Sequence, residues 1–120
     1  MKILVADDSR VMRQIVLRTQ RQAGLGHHAC VEAEDGADAF AKIATERPDL
    51  VLSDWNMPNM TGIELLRQLR ATGNQVPFGF VTSEGSPEMR QLAEQAGAMF
   101  LIAKPFTPDT FADALGAVLV

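Results

Sequence analysis

The chain has 120 residues, which suits one domain and leaves no room for a catalytic domain joined to an output domain. Its 47% hydrophobic and 22% charged residues match an ordinary globule and exclude disordered and fibrous classes. The 11 Lys and Arg against 15 Asp and Glu leave a net charge of −4, whose mean field disfavours DNA and anionic membrane surfaces as partners.

Residues 3–6 are a short apolar run, read as a strand, and Asp7-Asp8-Ser9 after them are helix-capping types. Met12, Ile15, Val16, Thr19 and Ala23 recur at helical spacing, and Gly24 with Leu25 reads as the stop. A second strand is expected over 28–33. Asp35-Gly36 turns into a helix whose apolar face reads as Ala37, Phe40, Ala41 and Ala44, ended by Pro48. Residues 49–53 hold the continuous apolar run of a strand covered on both faces, with Asp54 at its end. A loop over 55–62 leads to a helix marked by Ile63, Leu65, Leu66 and Leu69 and reaching Gly73. Residues 77–81 form the fourth strand and 82–86 its loop. Pro87 takes a first-turn position in a helix that runs to Ala96 and is closed by Gly97. A fifth strand covers 100–103. Thr107 then caps a last helix that opens with Pro108 and carries Phe111, Leu115, Val118 and Leu119 on one side.

Five strand–helix pairs in alternation imply an α/β fold, a parallel sheet with right-handed crossovers and helices on both faces. Ligands of such sheets collect beyond the carboxyl ends of the strands. That edge would gather Asp7 and Asp8 after strand 1, Asp54 after strand 3, Thr82 after strand 4 and Lys104 after strand 5. Three carboxylates there repel one another unless a cation sits among them or some are protonated. Hard oxygen donors without His or Cys select Mg²⁺ or a similar ion, which keeps positions open for water or a phosphoryl oxygen. Lys104 adds a compact positive charge and Thr82 a hydroxyl, which together can hold the other phosphoryl oxygens. Asp54 is then the nucleophile that forms an aspartyl phosphate. Taken singly, a helix cap, a turn residue, a strand threonine and a solvated lysine explain these side chains as well. Their conjunction at four strand ends is what points to a phosphoryl site.

The Asp7-Asp8 pair, the SDWNMPNMTG stretch around Asp54, the run Val81-Thr82-Ser83-Glu84 and Lys104-Pro105-Phe106 together resemble response-regulator receiver domains, most nearly the stand-alone chemotaxis regulators among them. The resemblance covers the whole chain, 1–120. It implies a flavodoxin-like five-stranded sheet of order 2-1-3-4-5. It also implies that Asp54 is phosphorylated by a sensor histidine kinase, and that Asp8, Asp54 and the Asn56 carbonyl bind Mg²⁺ directly, with Asp7 acting through water. Thr82 would bind a phosphoryl oxygen, Lys104 would pair with the phosphate, and the bond before Pro105 would be cis. Asn56 and Glu84 would flank the path of the water that hydrolyses the acyl phosphate, giving a fast-resetting switch. The implied protein is a monomeric cytoplasmic signalling molecule, not a metabolic enzyme. It binds neither DNA nor membrane, and its output partner docks on the face formed by helix 4, strand 5 and helix 5.

One position departs from the family pattern. The family's aromatic three residues before the lysine is Leu101 here, and Phe100 beside it must point to the opposite face. Leu101 is therefore not counted among the site residues. His27-His28 reads as a solvent-exposed turn, Cys30 as a small buried hydrophobe that has no disulfide partner, and Met57 and Met60 as loop packing or a partner contact. Trp55 reads as partly buried and useful as a reporter of its neighbour Asp54. Two other readings compete: a Mg²⁺-dependent phosphohydrolase of the haloacid dehalogenase kind, disfavoured by Asn56 where a second acid is usual, and a binding module whose phosphate pocket no longer works.

Overall fold

The computed structural model describes residues 1–26, 28–83 and 85–116. Five parallel strands, β1 (Lys2–Ala6), β2 (Ala29–Ala33), β3 (Leu50–Ser53), β4 (Phe78–Thr82) and β5 (Phe100–Ala103), form one sheet of order β2-β1-β3-β4-β5. Between and after them run α1 (Arg10–Gln22), α2 (Gly36–Glu46), α3 (Gly62–Ala71), α4 (Pro87–Ala96) and α5 (Pro108–Gly116). This is the architecture and strand order expected from the sequence, with boundaries displaced by one or two residues.

The period-two geometry of the strands divides the core between two faces. Leu4, Ala6, Val51, Phe78 and Phe80 point to the side covered by α2, α3 and α4, where they meet Ile43, Leu65, Leu66 and Leu69. Ile3, Val5, Leu50, Leu52, Val81 and Ile102 point to the other side, against Val16 of α1 and Phe111 and Leu115 of α5. Leu101 and Phe100 separate in the same way, Leu101 joining the first cluster and Phe100 the second. Val118 and Leu119, assigned by spacing to the buried side of the last helix, lie outside the described residues.

Helix starts follow side-chain chemistry. Ser9, Asp35, Thr61 and Ser86 each accept a backbone N–H from the third residue on, and Thr107 accepts that of Thr110. Thr61 and Glu64 form a reciprocal capping box, a T-x-x-E signal that is present in the sequence but was not read from it. Gly97 takes the left-handed conformation that ends α4.

Three sequence expectations need correction. The core face of α2 is Gly36, Ala39 and Ile43, with Phe40 at its margin, whereas Ala37, Ala41 and Ala44 are exposed. An alanine-rich helix reads as apolar on several faces, and close approach to the α3 side selected this one; Gly36 lies so near Met60 that a Cβ would overlap its carbonyl. Cys30 is exposed rather than buried, because β2 is an edge strand whose first residues are exposed. Its Sγ contacts Gln20 and the His28 carbonyl. His28 is half-buried rather than exposed, and His27 lies outside the described residues.

Gly62 sets the loop between β3 and α3. Its N–H donates to the Trp55 carbonyl at 2.8 Å, and a Cβ there would overlap the Asp54 carbonyl and press on the Phe80 ring. Gly62→Ala should therefore destabilise the fold by about 1–3 kcal/mol in urea unfolding, as overpacking of a closed site does. An unchanged midpoint would show that the loop relaxes freely.

Candidate functional site

Backbone ladders continue one residue beyond the strands and hold the acidic residues together. Asp54 N–H donates to the Ala6 carbonyl at 2.9 Å, Asp7 N–H to the Ala33 carbonyl at 3.1 Å, and Lys104 N–H to the Thr82 carbonyl at 2.8 Å. Neighbouring parallel strands lie roughly 4.8 Å apart, so side chains leaving β1 and β3 at one level have no room to separate. One oxygen from each of Asp7, Asp8 and Asp54 falls within 4.8 Å of the others. Asp7 is buried, Asp8 exposed and Asp54 intermediate, so the cluster opens to solvent on the Asp8 side.

Lys104 approaches from β5. Its Nζ lies 3.4 Å from Asp7 Oδ2 and 3.9 Å from Asp54 Oδ1. Asp7 is further held by the Ser9 N–H on Oδ1 at 2.9 Å, and Arg13 donates to its carbonyl at 2.7 Å while pairing with Glu32 at 3.0 Å. Arg13 is a supporting residue that the sequence reading missed. Its place in the first turn of α1 carries no pattern that separates it from an ordinary surface arginine. Trp55 donates its N–H to Asp54 Oδ1 at 2.8 Å and stacks its ring 4.8 Å from that of Phe80.

Thr82 is fully buried at the end of β4, beside Ala103 in register. Asn56 is exposed in the loop two residues beyond Asp54. Met57 is buried in the core and Met60 packs against it, which resolves both as loop packing. The Lys104–Pro105 bond is cis. Glu84 lies outside the described residues.

Burial pushes the Asp54 carboxyl above the ordinary carboxylate range. Lys104 and the Trp55 N–H pull it back, while the charges of Asp7 and Asp8 push it up again. A cation fits this donor set. All three ligands are oxygens, and oxygens on opposite sides of a Mg²⁺ with ~2.1 Å bonds lie ~4.2 Å apart, slightly closer than the present 4.8 Å spread. A small inward movement, or a water in place of one carboxylate, makes the set compatible with Mg²⁺.

Over residues 3–116 the sequence matches the family described as response regulator receiver domain. The chain belongs to that family. It is 38% identical over 122 residues to chemotaxis protein CheY1 of Helicobacter pylori, covering 99% of this chain and 97% of that one. It is 40% identical over 123 residues to a CheY homolog of Campylobacter jejuni, covering 99% and 92%. Among solved structures, chemotaxis response regulator CheY4 of Vibrio cholerae superposes with a TM-score of 0.84 at 38% identity, covering 98% of this chain and 97% of that one. The receiver domain of the response regulator NarL from Mycobacterium tuberculosis superposes with a TM-score of 0.85 at 27% identity, over 97% and 93%. The acidic cluster of this receiver domain is thus consistent with a Mg²⁺ and phospho-aspartate site. No helix among the described residues is long and apolar enough to cross a membrane.

The raised pKa fixes two signs. Asp54 binds its proton more tightly folded than unfolded, so its contribution to stability is fully present below the unfolded pKa and is lost as pH rises through the folded one. Without Mg²⁺, Asp54→Asn should raise the melting temperature by a few degrees at neutral pH and by little at acid pH, as calorimetry would register. A Mg²⁺ held by Asp54 would compete with that proton. Its affinity, followed by Trp55 fluorescence, should fall about tenfold per pH unit below the Asp54 pKa. A pH-independent affinity would contradict Asp54 as a ligand.

Proposed function

We propose that residues 1–120 act as a phospho-acceptor switch in which Asp54 takes a phosphoryl group from a phosphohistidine of a sensor kinase. The observation that carries the reading is the convergence of Asp7, Asp8 and Asp54 within 4.8 Å with Lys104 reaching two of them, in a chain of receiver sequence. Asp54 supplies a carboxylate oxygen in line with the N–P bond. The new O–P bond forms as the N–P bond breaks, and the electron pair leaves with the histidine nitrogen. Asp8, Asp54 and the Asn56 carbonyl would hold Mg²⁺ directly, with Asp7 behind a water. The bound ion supplies neutralisation of charge on the equatorial oxygens.

Lys104, already drawn toward Asp54, pairs with a phosphoryl oxygen, and the Thr82 hydroxyl donates to another. Water then attacks phosphorus, inorganic phosphate leaves and the carboxylate is restored. The polar residues Asn56 and Glu84, two positions beyond Asp54 and Thr82 in the sequence, support a short-lived phosphorylated state. Output follows from phosphorylation-dependent binding of a partner protein at the α4, β5 and α5 face, where Leu92 and Met99 are exposed. The relatives' names bring chemotaxis as the setting, and the proposed switch acts as a monomer in the cytoplasm.

Intact-mass measurement with Mg²⁺ and acetyl phosphate tests the chemistry. The natural chain should gain one phosphate that is lost well within an hour, and Asp54→Asn should gain none. No adduct on the natural chain would favour a vestigial pocket, and an adduct persisting for hours would contradict the fast reset. Sustained turnover of a small phosphomonoester would favour a phosphohydrolase.

A further inference from the structure

Among the described residues β5 pairs only with β4, so alternate carbonyls along it face away from the sheet. Arg90, on α4, donates from Nη1 to the Leu101 carbonyl at 3.2 Å and from Nε to the Gly85 carbonyl at 3.3 Å. Its planar guanidinium therefore bridges the loop after Thr82 to the middle of β5, with both donors fixed in one fork. Gly85 rests close on that strand: a Cβ there would sit 3.2 Å from Ala103 Cβ, 3.5 Å from Arg90 Nη2 and 3.8 Å from Leu101 Cδ2. The position where relatives of the family carry an aromatic is thus an aliphatic side chain whose own carbonyl is held by an arginine.

We infer that Arg90 is the positioning residue that locks the loop after Thr82 in its resting place and so sets the balance between the resting and phosphorylated conformations. The inference rests on the phospho-acceptor reading. When Thr82 closes on a phosphoryl group at Asp54, Gly85, three residues on, is drawn toward the site. The Gly85 carbonyl then leaves the guanidinium. A fork already engaged on β5 cannot follow without releasing Leu101, so the two bonds oppose the transition together. Coupling between sites is reciprocal. Breaking the lock must therefore favour the phosphorylated conformation and tighten binding of a phosphoryl analogue at a site Arg90 does not touch.

The test is titration of the full chain with beryllium fluoride in the presence of Mg²⁺, read by Trp55 fluorescence, for the natural protein, Arg90→Ala and Arg90→Lys. Arg90→Ala should bind the analogue about three- to tenfold more tightly, the bias that two solvent-exposed hydrogen bonds supply. Arg90→Lys, whose single ammonium cannot span both carbonyls, should fall between. Affinity for Mg²⁺ alone should be unchanged in all three. A merely structural role would weaken binding or lower affinity for Mg²⁺ as well, so either result, or equal affinities for the analogue, overturns the lock while leaving the phospho-acceptor reading standing. If the natural protein binds no beryllium fluoride and takes no phosphate from acetyl phosphate, the phospho-acceptor reading falls and the lock falls with it.

Discussion

The hydrogen bond from Asp54 N–H to the Ala6 carbonyl carries the β1–β3 ladder one residue past its strands, and that extension is the constraint behind the site. It places Asp54 beside Asp7 at the spacing of adjacent strands, where their charges cannot separate without breaking the ladder. Asp7 is buried and Asp54 only partly exposed, so the repulsion is incompletely screened. Lys104 offsets part of it, while burial first, and the charges of Asp7 and Asp8 after it, push the Asp54 carboxyl up. A cluster held in this way has unspent affinity for a cation, and the fold keeps it because the hydrophobic contacts of two sheet faces outweigh the electrostatic cost.

Those contacts also give the site its rigidity and its one movable side. β1 and β3 are central strands, buried on both faces almost throughout, and Arg13 and Ser9 hold Asp7 from α1. The Trp55 ring is braced on Phe80, and Gly62 closes the loop against the Asp54 carbonyl. By contrast, the loop after Thr82 is attached to β5 through exposed hydrogen bonds from Arg90. Exposed bonds open at low free-energy cost. On the proposed reading, the chemistry therefore sits on the stiff half of the sheet, and the response is left to the half bounded by an edge strand.

Where local chemistry was unambiguous, the sequence sufficed. Ser9, Asp35, Thr107 and the first-turn prolines marked helix starts, and the all-apolar run 50–52 identified a central strand. The gathering of Asp7, Asp8, Asp54 and Lys104 was readable because each lies just beyond a strand, and parallel strands bring their carboxyl ends to one edge. Failures came where local signals were degenerate. Four alanines and a phenylalanine around α2 allow several apolar faces, and nothing short of the packed α3 neighbour chooses between them. Cys30 is as apolar as a core residue, and its exposure follows from β2 being an edge strand.

The sequence by itself determined the alternation of elements, the strand order through its family resemblance, and the identity of the oxygen donors and of the lysine, because these depend on residue type and on short-range periodicity. Tertiary structure alone decided which oxygens come within reach of one another, that Arg13 steadies Asp7, and that Arg90 ties the loop after Thr82 to the carbonyl of Leu101. The arginines are not distinguishable by pattern from any solvated surface arginine. Their partners are backbone carbonyls, which every residue has, so only the folded path of the chain could select which of them are met.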